Sequence, residues 1–285
     1  MSVHPRRQYV LRLQSRRLEL GGRTLLMGIL NVTPDSFSDA GKFFDPGSAV
    51  RQATHLIEAG ADLLDIGGES TRPFSEPVSL EDELSRVIPV IRAIRGSSDL
   101  PISIDTTKAE VARQALEAGA DIINDVSAMF FDREMADVAA SSGAPVILMH
   151  MQGTPRTMQQ SPEYASLFSE IIAFLEERIW FAVERGVERG QIIIDPGVGF
   201  GKNISHNLAI IRDLELFQCL DRPILLGTSR KGFIGKILDR PVEQREVGTA
   251  VAHAFGIAAG AHIIRAHDVS FHKQAALMAD ALRSA

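Results

Sequence analysis

The sequence predicts an α/β fold: a single (β/α)8 barrel over residues 1–285, with residues 1–24 as an N-terminal hairpin and extension closing the barrel bottom. Three observations carry this. First, a phrase made of a helix end, a glycine and an aliphatic run recurs in EAGADLLD (58–65), EAGADIIND (117–125) and AAGAHIIRAHDV (258–269). SSGAPVILMH (141–150) and ERGQIIIDPG (188–197) follow the same plan, with the glycine read as a helix C-cap. Second, LLMGIL (25–30), ISI (102–104) and ILLG (224–227) bring the short aliphatic segments to eight. Third, the residue five places beyond the glycine of each phrase is Asp65, Asn124, Leu148, Asp195 or Arg265, polar in all but one case. Strands alternating with helices imply a parallel sheet. The even spread of polar strand ends favours closure over an open doubly wound sheet, because all eight C-terminal strand ends of a barrel face one site.

The elements can be justified in order. Residues 8–24, QYVLRLQSRRLELGGRT, alternate in polarity and contain a Gly-Gly pair expected to turn a hairpin. LLMGIL is the first barrel strand and stops at Asn31, followed by Thr33, Asp35, Ser36, Ser38 and Asp39 around one ring, Phe37. LEDELSRVIPVIRAI (80–94) is helical, with Ser79 and Asp82 as its cap. That leaves ESTRPFSEP (69–77), holding Thr71, Arg72 and two prolines, as a long loop suited to a ligand. In ISIDTTKAEVARQAL (102–116), Thr107 and Glu110 have capping-box spacing, which frees Asp105 for a functional role.

Further along, DPGVGFGK (195–202) fails as a nucleotide loop. Pro196 stands where the Walker pattern needs glycine, Asn203 where it needs Ser or Thr, and Lys202 at the third glycine of the dinucleotide fingerprint. Its glycines still let backbone approach a flat ligand, on which Phe200 can stack. GTSRKGFIGK (227–236) sets Arg230 and Lys231 at the end of strand seven, and strand eight adds Arg265 and His267. Phosphate sites of such barrels form near strands seven and eight, so Arg72, Lys231, Arg265 and His267 are read as a local positive cluster. Arg86 and Arg92 read as solvated helix cations, and His253 and His262 as core or helix residues.

Bulk properties narrow the function. No apolar run reaches the ~18 residues of a membrane span, so no membrane association is expected. A formal net charge of −6 argues against nucleic acid as main partner. One cysteine, Cys219, rules out an internal disulfide and fits a cytoplasmic location. The histidines lack paired metal-ligand spacing. Mg²⁺ asks for less, since it keeps waters and substrate phosphates, and Asn31 with a diphosphate suffices. Inside the barrel, Asp105, Asp195, Asn124, a lysine and Phe200 suit a flat heterocycle rich in donors and acceptors. The cations suit a phosphate or diphosphate leaving group, and loops 31–45 and 70–78 are placed to close over a second substrate. Covalent catalysis is not indicated.

MGILNVTPDSFSD, GGESTRP, SIDT, INDVS, LMHMQGTP, DPGVGFGK, TSRK and RAHDV, in this order from about residue 23 to 270, together resemble the dihydropteroate synthases. The resemblance implies a Mg²⁺-dependent transferase of folate biosynthesis, a TIM barrel inhibited by sulfonamides. It would condense p-aminobenzoate with 6-hydroxymethyl-7,8-dihydropterin diphosphate, giving 7,8-dihydropteroate and pyrophosphate. It also implies a homodimer. Carried over by position, Asp105, Asn124, Asp195 and Lys231 bind the pterin, and Met149, Phe200 and Gly227 line its slot. Asn31 holds Mg²⁺ on the diphosphate, whose oxygens meet Arg72, Arg265 and His267. Phe37, Thr71, Pro73 and Ser229 shape the aminobenzoate site, with Asp39 near the incoming amine. Asp105, Lys231, Arg72 and Asp39 are the residues expected to carry catalysis. Ala40 and Phe74 depart from the family pattern, in the two loops. Two rivals share much of this: a pterin-binding methyltransferase-type barrel, which has no use for the diphosphate cations, and a non-catalytic pterin-binding paralogue, which would show damaged loops.

Overall fold

The computed structural model describes residues 6–33, 46–70, 77–154, 157–158 and 162–285. Two antiparallel strands come first, β1 (Tyr9–Arg12) and β2 (Arg17–Leu20). Eight parallel strands follow: β3 (Leu25–Asn31), β4 (Leu63–Gly67), β5 (Ile102–Asp105), β6 (Ile122–Asp125), β7 (Val146–Met149), β8 (Ile192–Asp195), β9 (Leu225–Leu226) and β10 (Ile263–Ala266). They pair in the order β8-β7-β6-β5-β4-β3-β10-β9, and a parallel bridge between Ile194 and Ile224 joins the two ends. The expected barrel is present. Its helices are α1 (Pro46–Glu58), α2 (Leu80–Arg95), α3 (Ala109–Ala118), α4 (Met135–Ser142), α5 (Leu167–Glu184), α6 (Ile204–Arg212), α7 (Gly232–Leu238), α8 (Glu246–Ala258) and α9 (Val269–Ser284).

Side chains of successive strand residues point to opposite faces, and here that alternation sorts the chain into two cores. Leu26, Leu64, Ile104, Ile123, Leu148 and Ile194 face outward and pack with helix residues such as Leu56, Val87 and Ile91. Leu25, Met27, Leu63, Ile122, Ile147 and Ile193 point inward and fill the lower barrel. Beneath them lie Leu11, Leu13 and Leu20 of the hairpin, so β1 and β2 form the floor. Burying each such side chain stabilises the fold by roughly 1.5–3 kcal/mol. Gln191 fastens this floor, accepting from the Arg12 N–H at 2.9 Å and donating to the Arg12 carbonyl at 2.7 Å.

The hairpin turn is not made by Gly21-Gly22. It lies at residues 13–16, where the Leu13 N–H donates to the Arg16 carbonyl at 2.8 Å. Gly21, at φ +105°, instead packs so close to Arg7 that a Cβ would sit 2.3 Å from its carbonyl oxygen.

The recurrent phrase has a structural reason in the polar residue two places after its glycine. Asp62 accepts the Leu26 N–H at 2.8 Å, Asp121 accepts the Ile102 N–H at 3.0 Å, and the His262 Nδ1 accepts the Ile224 N–H at 3.1 Å. Each side chain thus satisfies the first backbone donors of a neighbouring strand at the barrel bottom, groups that are expensive to bury unpaired. His262 is the core residue expected of it.

Two local expectations need correction. The Ser79 cap forms, its Oγ accepting from the Asp82 N–H at 3.1 Å, but the Thr107–Glu110 box does not. Helix α3 starts one residue later, at Ala109, whose N–H is taken by Asp132 at 2.8 Å, while Glu110 pairs with Arg113. Likewise the last helix turn before β8 closes at Gly186, φ +97°, rather than at Gly190, which lies in a one-turn 3-10 helix.

Candidate active site

Two residues above the apolar floor, the same inward positions turn polar. Asp65 of β4, Asp105 of β5, Asn124 of β6, Asp195 of β8 and Arg265 of β10 all face the upper chamber, with Met149 of β7 among them. The strand register places these together: Asp105 lies beside Asn124 and Met149 beside Asp195. Leu148, five places from its glycine, faces outward instead; β7 starts three places after its glycine, as β4, β6 and β10 do, but in the opposite phase, so Met149 is the inward side chain.

Arg265 organises the chamber. Its Nε donates to Asp65 Oδ2 at 2.6 Å and its Nη2 to Asp105 Oδ2 at 2.9 Å. Asp65 is fully buried and also accepts from Asn124 Nδ2 at 3.0 Å. Asp65 is therefore the hub that aims both an amide and a guanidinium, a role sequence reasoning did not give it. The five-residue count had placed it at a strand end, and nothing local signals partners 59 and 200 residues away.

Burial pushes the Asp105 carboxyl up to about 7, and the nearby Asp65 charge adds to the rise. Asp195 is raised to about 6, again by burial, although the Gly197 N–H donates to its Oδ1 at 2.7 Å. The Lys231 ammonium sits 4.0 Å from the centre of the Phe200 ring, and burial lowers it to about 8. These three groups change charge within a narrow span around neutrality, as expected where burial and neighbours act together at a functional site.

Phe200, with Val126, Met149 and Met158, makes an apolar wall beside the carboxylates. The DPGVGFGK loop that carries Phe200 is pinned from behind. Asn207 accepts the Gly199 N–H at 2.7 Å, the Tyr164 hydroxyl donates to the Gly201 carbonyl at 2.8 Å, and buried Lys202 donates to the Phe200 carbonyl at 2.9 Å. Lys202 also meets His150 Nδ1 at 2.9 Å; burial and this neighbour hold the imidazole neutral. Gly197, at φ +69°, is obligatory, since a Cβ would stand 1.9 Å from the His150 carbonyl oxygen.

Ser229 and His267 meet at 2.8 Å between the ends of β9 and β10. Beside them, a cleft of about 400 Å³ is lined by Asn31, Gln52, His55, Arg230, His267 and Asp268. Gly227 opens toward Asp195, whose Oδ2 would be 3.9 Å from a Cβ there. Arg86, read as solvated, is instead half-buried and donates to the Gly68 carbonyl at 2.8 Å, bracing the end of β4. Phe37 and Asp39, and Thr71, Arg72 and Pro73, lie outside the described residues, as do Ala40 and Phe74. Among the described residues no three His, Cys, Asp or Glu side chains cluster as metal ligands.

The chamber thus offers two carboxylates, an amide and an ammonium around a flat slot, next to a cleft holding an amide and cations. A family model described as "Pterin binding enzyme" matches residues 27–267, spanning every barrel strand from Met27 onward. The chain belongs to this pterin-binding family. It is 50% identical to the dihydropteroate synthase of Synechocystis sp. over 263 residues, covering 92% of this chain and 91% of that one. Against the Bacillus subtilis dihydropteroate synthase it is 48% identical over 262 residues, 91% and 89% of the two chains. A Xanthomonas albilineans dihydropteroate synthase in complex with 7,8-dihydropteroate superposes with a TM-score of 0.87 at 40% identity, covering 97% and 99%. A Yersinia pestis dihydropteroate synthase bound to a sulfonamide drug superposes at 0.91 with 41% identity, covering 96% and 99%.

Proposed function

We propose that this chain is a dihydropteroate synthase, joining p-aminobenzoate to 6-hydroxymethyl-7,8-dihydropterin diphosphate with loss of pyrophosphate. The observation that carries this reading is the inward ring of Asp105, Asn124, Asp195 and Lys231 beside Phe200. Carboxylates and amide accept and donate along the edge of a pterin, and Phe200 with Met149 supplies the flat wall.

In this reading the reaction divides between the chamber and the cleft. The diphosphate lies toward His267 and Arg230, which line the cleft beside the chamber. Charge builds on the departing pyrophosphate, where fixed donors stabilise the transition state more than the ground state. As the carbon–oxygen bond breaks, the pterin methylene becomes cation-like, and the buried Asp105 and Asp195 carboxylates favour that charge. Arg265 is tied to Asp65 and Asp105 here, so its service to the diphosphate requires a shared role with Asp105. The arylamine nitrogen attacks the methylene, loses a proton, and needs alignment more than activation, worth roughly 7–11 kcal/mol. Ser229 and the residues named in the two outer loops form its side of the site.

Mg²⁺ fits the donor set present. Asn31 ends β3 half-buried and lines the same cleft as His267 and Arg230, where its amide oxygen would hold the ion together with substrate phosphates and waters. Bound there, the ion would neutralise the leaving group.

The family resemblance to a homodimer gains support from the surface. Val247, Val251 and Phe255 recur every four residues on α8 and are 68%, 53% and 46% exposed, and Leu208 is exposed on the adjacent α6. Such a stripe suits burial against a second copy. Val251→Asp is expected to give a monomer by light scattering. A cytoplasmic location fits the single free Cys219. We also infer sulfonamide inhibition, through the aminobenzoate side of the site.

The test is pyrophosphate release from the pterin diphosphate with Mg²⁺, with and without p-aminobenzoate, and product mass. Arylamine-dependent release yielding dihydropteroate supports the reading. Binding of pterin with no product would leave a non-catalytic pterin-binding protein.

A further inference from the structure

Behind the turn that carries Ser229 and Lys231, a chain of hydrogen bonds runs from Arg230 into the protein interior, and beyond Arg230 the reaction described above does not use it. Arg230 sits in the left-handed region at φ +57°, a conformation that strains a non-glycine residue. Three groups from the start of α8 hold it there. The Arg230 N–H donates to Thr249 Oγ1 at 3.2 Å, its carbonyl accepts from Arg245 Nη1 at 3.1 Å, and its Nε is ion-paired with Glu246. Glu246 turns its other oxygen to His272 Nε2 at 2.8 Å, on the first turns of α9. His272 Nδ1 then meets His253 Nδ1 at 3.2 Å, and both rings are fully buried.

The chemistry of the chain fixes its direction. A neutral imidazole has one donor and one acceptor nitrogen. His272 must donate from Nε2 to the carboxylate, so its Nδ1 accepts, and His253 must donate from Nδ1. That leaves His253 Nε2 as an acceptor, and it is indeed without a partner among the described residues. Burial favours neutral rings at both positions, and the Glu246 carboxylate opposes it at His272. Every bond then has one donor and one acceptor, from His253 to His272 to Glu246, where Arg230 donates from the other side. The chain links α8 and α9 to the β9–α7 turn, just where Ser229 bonds His267.

We propose that Glu246 is a positioning residue: by holding Arg230 in its left-handed turn, with His272 and His253 as its buttress, it sets Arg230, and through Ser229 also His267, toward the leaving-group cleft. This rests on the function proposed above for the ligand, but the buttress is a property of the protein itself. The test compares 6-hydroxymethylpterin with its diphosphate by titration calorimetry. Glu246→Ala is expected to weaken diphosphate binding roughly 10- to 100-fold, the scale of a small misplacement of binding groups. The alcohol, held by Asp105 and Asn124, should change by less than about threefold on the same reasoning. Glu246→Gln keeps an acceptor for Arg230 and should recover most of the loss. Equal weakening of both ligands, or of neither, overturns the proposal. Should Glu246→Ala fail to fold, Glu246→Asp, which keeps the charge but shortens the reach to Arg230, is expected to give the same selective loss.

A ligand-free readout separates this from the functional reading. The His267 ring resonances should move in Glu246→Ala and return in Glu246→Gln. If they stay fixed in both, the positioning role is wrong. If they move while the wild-type protein binds no pterin diphosphate, the functional reading fails and the buttress stands.

Discussion

Asp65 gives the sharpest test of how the chamber is built. It is fully buried and its Oδ2 accepts from Arg265 Nε at 2.6 Å and from Asn124 Nδ2 at 3.0 Å. Asp65→Ala removes the acceptor of both bonds and leaves Arg265 with Asp105 alone. Breaking a buried ion pair by deleting one partner costs about 3–5 kcal/mol. At roughly 2–4 °C per kcal/mol for a chain of this size, Tm should fall by about 6–20 °C. Asp65→Asn keeps the volume and one acceptor, so its loss should be nearer the ~1.5–3 kcal/mol of a charge-assisted hydrogen bond. The second consequence is electrostatic. The Asp65 charge helps to raise Asp105 to about 7, so Asp65→Asn should lower it and move the acid limb of pterin binding to lower pH. Thermal unfolding and pH-dependent calorimetry measure the two effects. A Tm for Asp65→Ala within about 2 °C of wild type, less than 1 kcal/mol on the same scale, would refute the claim that this pair organises the chamber.

Other expectations follow from the same geometry. With Asp105 raised to about 7, Asp195 raised to about 6 and Lys231 lowered to about 8, kcat/KM for the pterin should rise between pH 6 and 7 and fall above 8; a flat profile would contradict these roles. Because folding raises the two carboxyls from 3.8, their contribution to stability is complete below that value and is lost as pH rises through about 6 and 7, which urea unfolding across that range can measure. Phe200→Ala removes the stacking wall and the ring beneath Lys231, so pterin should bind more weakly by ~1–3 kcal/mol, with p-aminobenzoate KM little changed. Gly197→Ala places a Cβ 1.9 Å from the His150 carbonyl at φ +69°, and a Tm unchanged from wild type would show that the loop can shift at no cost.

Much of this was legible in the sequence because barrels repeat. The helix–glycine–strand phrase located the strands to within a residue or two, and the fivefold count from glycine picked out Asp65, Asn124, Asp195 and Arg265 as strand-end polar groups. What was not legible is pairing across the barrel. Nothing near Asp65 announces Arg265, and nothing near Thr107 announces that Asp132 will take the α3 cap instead. Arg86 looked like any helix cation until the fold brought Gly68 to it. Lys202 was read only as the wrong residue for a nucleotide motif, whereas burial makes it the anchor of the Phe200 loop. Tertiary contacts decided each of these, and local spacing carries no record of them.

The strict alternation of the strands also bears on which changes of length this protein can accept. In β4, β6, β8 and β10 the inward polar residue stands five places after a glycine, and two places after an inward apolar residue of the floor. Deleting one residue inside any of these strands would send its polar side chain into the helix layer and an aliphatic side chain into the chamber, damaging fold and site in one step. A point substitution can harm one without the other; a strand deletion cannot. The β7 segment shows a shift the fold accepts: it too follows its glycine after two residues, Ala144-Pro145, but in the opposite phase, so that Met149 reaches the chamber one place later. Insertions and deletions among descendants of this chain should therefore collect in the links and leave the strands uniform in length.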